Sequence, residues 1–249
     1  MNNFKKIPTF FTVLLVLLSA GIAFNSCSED DGTQKTDTYT CDTCASTPDA
    51  LPENDNSAKG VYKGIQVGSS GTLSIDIQNG SSTITGTMVL DGITASLISN
   101  VSYVDGEPYV APFTGTYDGD PVSLTFSVAL GGGMPRVISS NIPGHPDAVF
   151  TIYKETSTSL IEAFEGTYSK PGETGTFNIL LSRALGLWGG VAKENSPGAS
   201  PENIDGTIHN NKLLDDNGHE IGTLTGDEIN GQFRDGDNQM VTVTGRRTL

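Results

Sequence analysis

Three histidines, 29 carboxylates and three cysteines are the side chains of this chain best able to move protons or hold a metal. Their spacing favours neither. His145, His209 and His219 lie 64 and 10 residues apart, and the sequence contains no His-Glu-x-x-His zinc pair, no Gly-x-Ser-x-Gly nucleophile turn and no phosphate-cradling glycine loop. Two acidic runs, Asp215-Asp216-Asn217-Gly218 and Asp235-Gly236-Asp237-Asn238, offer hard oxygen ligands of the kind calcium takes. Neither fits the spacing of a loop calcium motif, and both have the composition of a hairpin turn. Two carboxylates facing each other across a cleft could hydrolyse a glycoside, but with 29 acids any fold supplies candidate pairs. Trp188, in Leu185-Gly186-Leu187-Trp188-Gly189-Gly190, is the only tryptophan. A sugar platform needs an exposed ring, whereas a single Trp among strands reads as core. Tyr62, Phe113, Tyr117, Tyr168, Phe177 and Phe233 fall on strand patterns and read the same way. The expectation is no catalytic residue, no metal and no cofactor.

Cys41 and Cys44 form a Cys-x-x-Cys pair within a segment rich in Thr, Asp, Ser and Pro. A local disulfide suits an oxidising compartment. Free thiols and a redox role are the alternatives, although a redox pair belongs at a helix start in a βαβ unit. No second pair is present to complete a zinc site.

From Gly60 onward, short runs alternate apolar and polar residues, the period of a half-buried strand. Residues 72–78 (TLSIDIQ) place Leu73, Ile75 and Ile77 on one side; residues 122–130 and 240–245 behave alike. Asn79-Gly80, Asp91-Gly92, Asp105-Gly106, Asp118-Gly119, Asn217-Gly218, Asn230-Gly231 and Asp235-Gly236 are signals for tight hairpin turns. Residues 159–165 (SLIEAFE) suit either a short helix or a strand. The fold class is therefore all-β, an antiparallel barrel or sandwich.

An internal repeat is visible. GVYKG (60–64) matches GTYSK (166–170), GTLSIDI (71–77) matches GTFNILL (175–181), and residues 113–126 parallel 229–243. The chain thus divides into a first β half at 59–156 and a second at 157–249. These are either two small barrels or the halves of one. The link at 155–163 is short and poor in Pro and Gly, which favours one continuous unit.

Before Gly60 the texture differs. Lys5 and Lys6 precede an apolar run, residues 7–24, interrupted by Pro8, Ser19 and Gly21, the layout of a secretory signal rather than a membrane span. The run ends Phe24-Asn25-Ser26-Cys27, which resembles the lipobox of bacterial lipoproteins. That resemblance implies a signal peptide at 1–26 and a lipidated Cys27. The following Ser28-Glu29-Asp30-Asp31 resembles the acidic export signal of surface lipoproteins of some Gram-negative bacteria, which implies a lipid-anchored outer-membrane protein displayed on the cell surface. Residues 27–58 hold few large apolar groups and read as a flexible acidic tether. The ending, residues 221–249, is similar to the closing hairpins of uncharacterised bacterial β-barrel lipoproteins, a likeness that extends loosely over 36–249 and implies no activity.

Without residues 1–26 the chain carries 12 basic and 29 acidic residues, a formal charge of −17. Nucleic acid, whose binding needs Lys and Arg to displace counterions, is not an expected partner. The membrane, reached through the N-terminal lipid, is one. A glycan, a small ligand or a partner protein remains open as another. The function expected is a non-catalytic binding or structural module; an enzyme acting on polysaccharide is the alternative.

Overall fold

The computed structural model describes residues 38–66, 70–146 and 148–249. The first eight strands are β1 (Gly60–Gln66), β2 (Gly71–Ile77), β3 (Ile84–Leu90), β4 (Ile93–Ile98), β5 (Tyr109–Tyr117), β6 (Asp120–Val128), β7 (Arg136–Asn141) and β8 (Phe150–Lys154). They form one antiparallel meander in which β8 returns to pair with β1, leaving β7 and β8 as the two edges. The second eight are β9 (Glu162–Lys170), β10 (Glu173–Ser182), β11 (Leu187–Glu194), β12 (Glu202–His209), β13 (Lys212–Leu214), β14 (Glu220–Thr225), β15 (Glu228–Arg234) and β16 (Met240–Arg247). In this half β16 pairs with β9 and the barrel closes. The fold is all-β and antiparallel, with two halves of like path: one closed barrel and one nearly closed.

The strands do not combine into a single barrel, although the short link suggested one unit. Every strand ladder runs between strands of the same half, and the 155–161 link joins two cores. Ile65 packs with Ile161, Ala163 and Leu180 at the junction, and Asn178 Nδ2 donates to the Gln66 carbonyl at 2.8 Å.

The alternating pattern behaves as period-2 geometry requires. In β2, Leu73, Ile75 and Ile77 are buried while Ser74 and Asp76 are half-exposed. The hairpins at Asp91-Gly92 and Asp118-Gly119 hold both residues at positive φ, the geometry that favours Asp-Gly. Asn230-Gly231 is not a turn. It lies inside β15, where a Cβ on Gly231 would sit 2.3 Å from the Ile221 carbonyl, so the glycine serves close approach of backbones. Residues 162–165 begin strand β9 and form no helix.

Residues 38–58 are not a flexible tether. A 3-10 turn at Pro52–Asn54 covers one end of the first half, with Ala50, Asn54 and Ala58 buried. Composition missed this because polar contacts hold the segment. Asn79 Oδ1 accepts from Leu51 N and Asn54 Nδ2, both at 3.0 Å. The Asp55 carboxylate accepts from the backbone and hydroxyl of Ser157 at 2.8 and 2.7 Å. Lys154 Nζ donates to the Asn54 carbonyl at 2.7 Å and also to that of Ser57.

Candidate functional site

The two interiors differ. In the first half, Tyr62, Phe113, Phe126 and Met88 are wholly buried and fill the space between strands. The rings of Tyr62 and Phe126 meet at a tilt with centroids 5.1 Å apart, and Phe113 meets Phe126 edge-on at 6.2 Å. In the second half the inward residues at one end remain half-buried. Tyr168, Ile204, Ile221, Phe233 and Val243 line a cup of about 470 Å³, a size within the range of small-molecule pockets.

The floor of the cup is apolar and fixed. Trp188 is 5% exposed, and its indole N–H donates to the Leu214 carbonyl at 3.0 Å. Phe177 lies where a Cβ on Gly166 would meet its ring at 2.3 Å, so that glycine opens the space the ring occupies. Trp188 is thus a buried wall of the site, not an exposed platform.

The opposite end of this barrel is sealed. Arg247 Nη1 pairs with Glu162 at 3.2 Å and Asp227 at 3.4 Å, and Nη2 donates to the Ala45 carbonyl at 2.6 Å. Tyr39 donates its hydroxyl to the Arg247 carbonyl, and Cys41 N–H donates to Asp227, both at 2.9 Å. Cys41 and Cys44 are joined in a disulfide, with Cα atoms 5.4 Å apart. Their loop is therefore docked against the closed end. Cys27 lies outside the described residues.

The four connections at the open end bring together Lys170, Glu173, Glu202, Asp215, Asp216 and Asp235. Lys170 bridges Glu173 at 3.0 Å and Asp235 at 3.4 Å. Hydrogen bonding to Lys170, then to Tyr168, holds the Glu173 carboxyl below its ordinary range. The Asp235 carboxyl is also lowered, chiefly by the backbone N–H of Gln239, and that of Asp215 by the N–H groups of His219 and Asn217 against the opposing effect of burial. Tyr168 donates its hydroxyl to Glu173 at 2.9 Å. Burial, reinforced by that acceptor and its charge, pushes the phenol up to about 12.

Asp215 and Asp235 each accept two backbone N–H groups within their own loops, so both acidic runs act as turn closures. Among the described residues no group of three His, Cys, Asp or Glu side chains converges as metal ligands. The histidines remain apart. His145 sits against Tyr117 and Asp91 in the first half, His219 pairs with Asp215 at 3.3 Å, and His209 is exposed on β12.

Sequence reasoning placed Tyr168, Phe177 and Phe233 in the interior but did not find the cup. It also passed over Lys170, Glu173 and Glu202, whose only signal is their place at strand ends beside loops of one barrel end. The chain matches no protein-family model, no curated protein and no solved structure.

Proposed function

We propose that this chain is a lipid-anchored, surface-displayed binding protein of the outer membrane, and that its second barrel takes a small apolar ligand into the cup. The anchor and the location rest on Cys27 and the acidic run after it. The binding role rests on the contrast between a first half filled by aromatic rings and a second half whose apolar walls stay open. Closed barrels of eight strands hold one small ligand in this manner. A non-catalytic role suits the mouth. A glycosidic general acid needs a raised carboxyl, and Glu173, Asp215 and Asp235 all shift down.

Trp188 is the only tryptophan and walls the cup, so its emission reports occupancy directly. Titration with decanol should shift that emission along a saturable one-to-one curve. Ile204→Phe would narrow the cup without adding a second indole and should weaken binding about tenfold. A linear, unsaturating response in the natural protein refutes the reading.

A further inference from the structure

Apolar walls specify the body of a ligand, and the groups around the mouth specify what its exposed end carries. Among the described residues Lys170 is the one basic side chain lining the cup, and Glu173 and Asp235 already engage it. The carboxylates of Glu202 and Asp216 line the same mouth and make no ion pair or hydrogen bond among the described residues. On β12, Glu202 stands two residues before Ile204, whose side chain packs in the barrel core, so strand alternation turns both to the same face. Among the described residues, Glu173, Glu202, Asp215, Asp216 and Asp235 against the ammonium of Lys170 leave the mouth negative. Two half-buried rings, Tyr168 and Phe233, stand beside them, and an aromatic face attracts an organic cation.

We infer that the cup selects cationic amphiphiles, with the apolar tail against Trp188 and an organic ammonium head between Glu202, Asp216 and the rings of Tyr168 and Phe233. This rests on the cup being a binding site. The carboxylates are spread around the mouth and do not converge on one point, an arrangement suited to a large, diffuse cation. A carboxylate-headed amphiphile would meet like charge at the same place. Because the acids are near solvent, their attraction weakens as salt shortens the screening length to about 8 Å at physiological ionic strength and to about 3 Å at 1 M.

The test compares three probes of one tail length, decyltrimethylammonium, decanol and decanoate, each followed by Trp188 emission below its micelle concentration. The cation should bind at least tenfold more tightly than decanoate, with decanol between them. Raising salt to 1 M should compress that spread to about threefold. Glu202→Gln combined with Asp216→Asn should do the same at low salt with little change in melting temperature. Equal binding of all three probes, or preference for decanoate, overturns the head-group assignment and leaves the cup standing. Failure of decanol and the cation alike to bind overturns the cup itself, and the assignment with it. A spread that survives both salt and the double substitution shows that other groups make the choice and also overturns the assignment.

Discussion

Glu155 has no exposed surface, and its side chain sits at the meeting point of three segments. Its Oε2 pairs with Lys63 Nζ at 2.7 Å, an ammonium whose side chain is itself only 3% exposed. Oε1 accepts from Asp49 N at 2.6 Å and Ala50 N at 3.3 Å, and Oε2 accepts from Ile161 N at 3.0 Å. One carboxylate thus ties residues 49–50, strand β1 and the link between halves. In Glu155→Ala the ammonium keeps, among the described residues, only Asp49, at 3.2 Å on a carboxylate that is 58% exposed. Removing one partner of a buried pair costs about 3–5 kcal/mol, and each buried N–H left without an acceptor adds about 1–3 kcal/mol. These contributions overlap, so about 5 kcal/mol is the working figure. For a domain of this size each kcal/mol moves the melting temperature by about 2–4 °C, giving a fall of roughly 10–20 °C by scanning calorimetry. Glu155→Gln keeps an oxygen acceptor and should cost about half as much. Adding Lys63→Met to Glu155→Ala removes the stranded ammonium and should recover several degrees. An alanine variant melting within about 3 °C of the natural protein, or a Lys63→Met change that only adds its own cost, would refute the reasoning.

Cys41→Ser with Cys44→Ser frees a four-residue loop in the unfolded chain, worth about 2 kcal/mol. Because the loop is docked on Asp227 and Arg247, a fall of about 4–8 °C should follow, and an unchanged melting point would mean the loop is not held there. Hydrogen bonds and cations lower the carboxyls of Asp55, Glu173, Asp215, Glu220 and Asp235 in the folded chain. Their stabilisation is complete above the ordinary carboxylate range and is lost as pH falls through the lower folded values. Burial raises Asp76 and Glu165, which act in the opposite sense. With five against two, the melting temperature should hold down to about pH 4.5 and drop towards pH 3; a rise over that interval would contradict the assignment. Cys27→Ala should abolish incorporation of labelled fatty acid, and persistent labelling would remove the anchor from the proposed function.

Strand content was legible because it is local. Alternation in residues 72–78 and the Asp-Gly pairs are written within a few neighbouring positions, and the ladders follow them. The packing of 38–58 was not legible, because it depends on partners far along the chain. Asp49 N meets a carboxylate 106 residues away and Tyr39 a carbonyl 208 residues away. A segment held by such bonds can be as polar as a disordered one. The acidic mouth was hidden for a related reason. Lys170, Glu173, Glu202, Asp216 and Asp235 sit on four separate connections, and only closure of the barrel gathers them.

The internal repeat also shows how two halves of like path come to differ. GVYKG and GTYSK fall on β1 and β9, and GTLSIDI and GTFNILL on β2 and β10, which occupy the same places in the two meanders. The third match does not fit this order. It lies on β5–β6 and β15–β16, while strand order pairs β15–β16 with β7–β8. Even the matching hairpins pair in different registers. Tyr62 stands opposite Ile75, whereas Tyr168, its sequence counterpart, stands opposite Gly175; Ile179, the counterpart of Ile75, faces Phe164 instead. The second hairpin turns sooner, with only residues 171 and 172 between β9 and β10, against 67–70 between β1 and β2. Shifts by an even number of residues keep every side chain on its original face, so Tyr168 still points inward but lies at the mouth. Tyr62, farther from its hairpin turn, donates to the Ala58 carbonyl at 2.8 Å and is wholly buried in the core of the first half. Nearer its turn than Tyr62 is, Tyr168 stands at the rim and lines the cup.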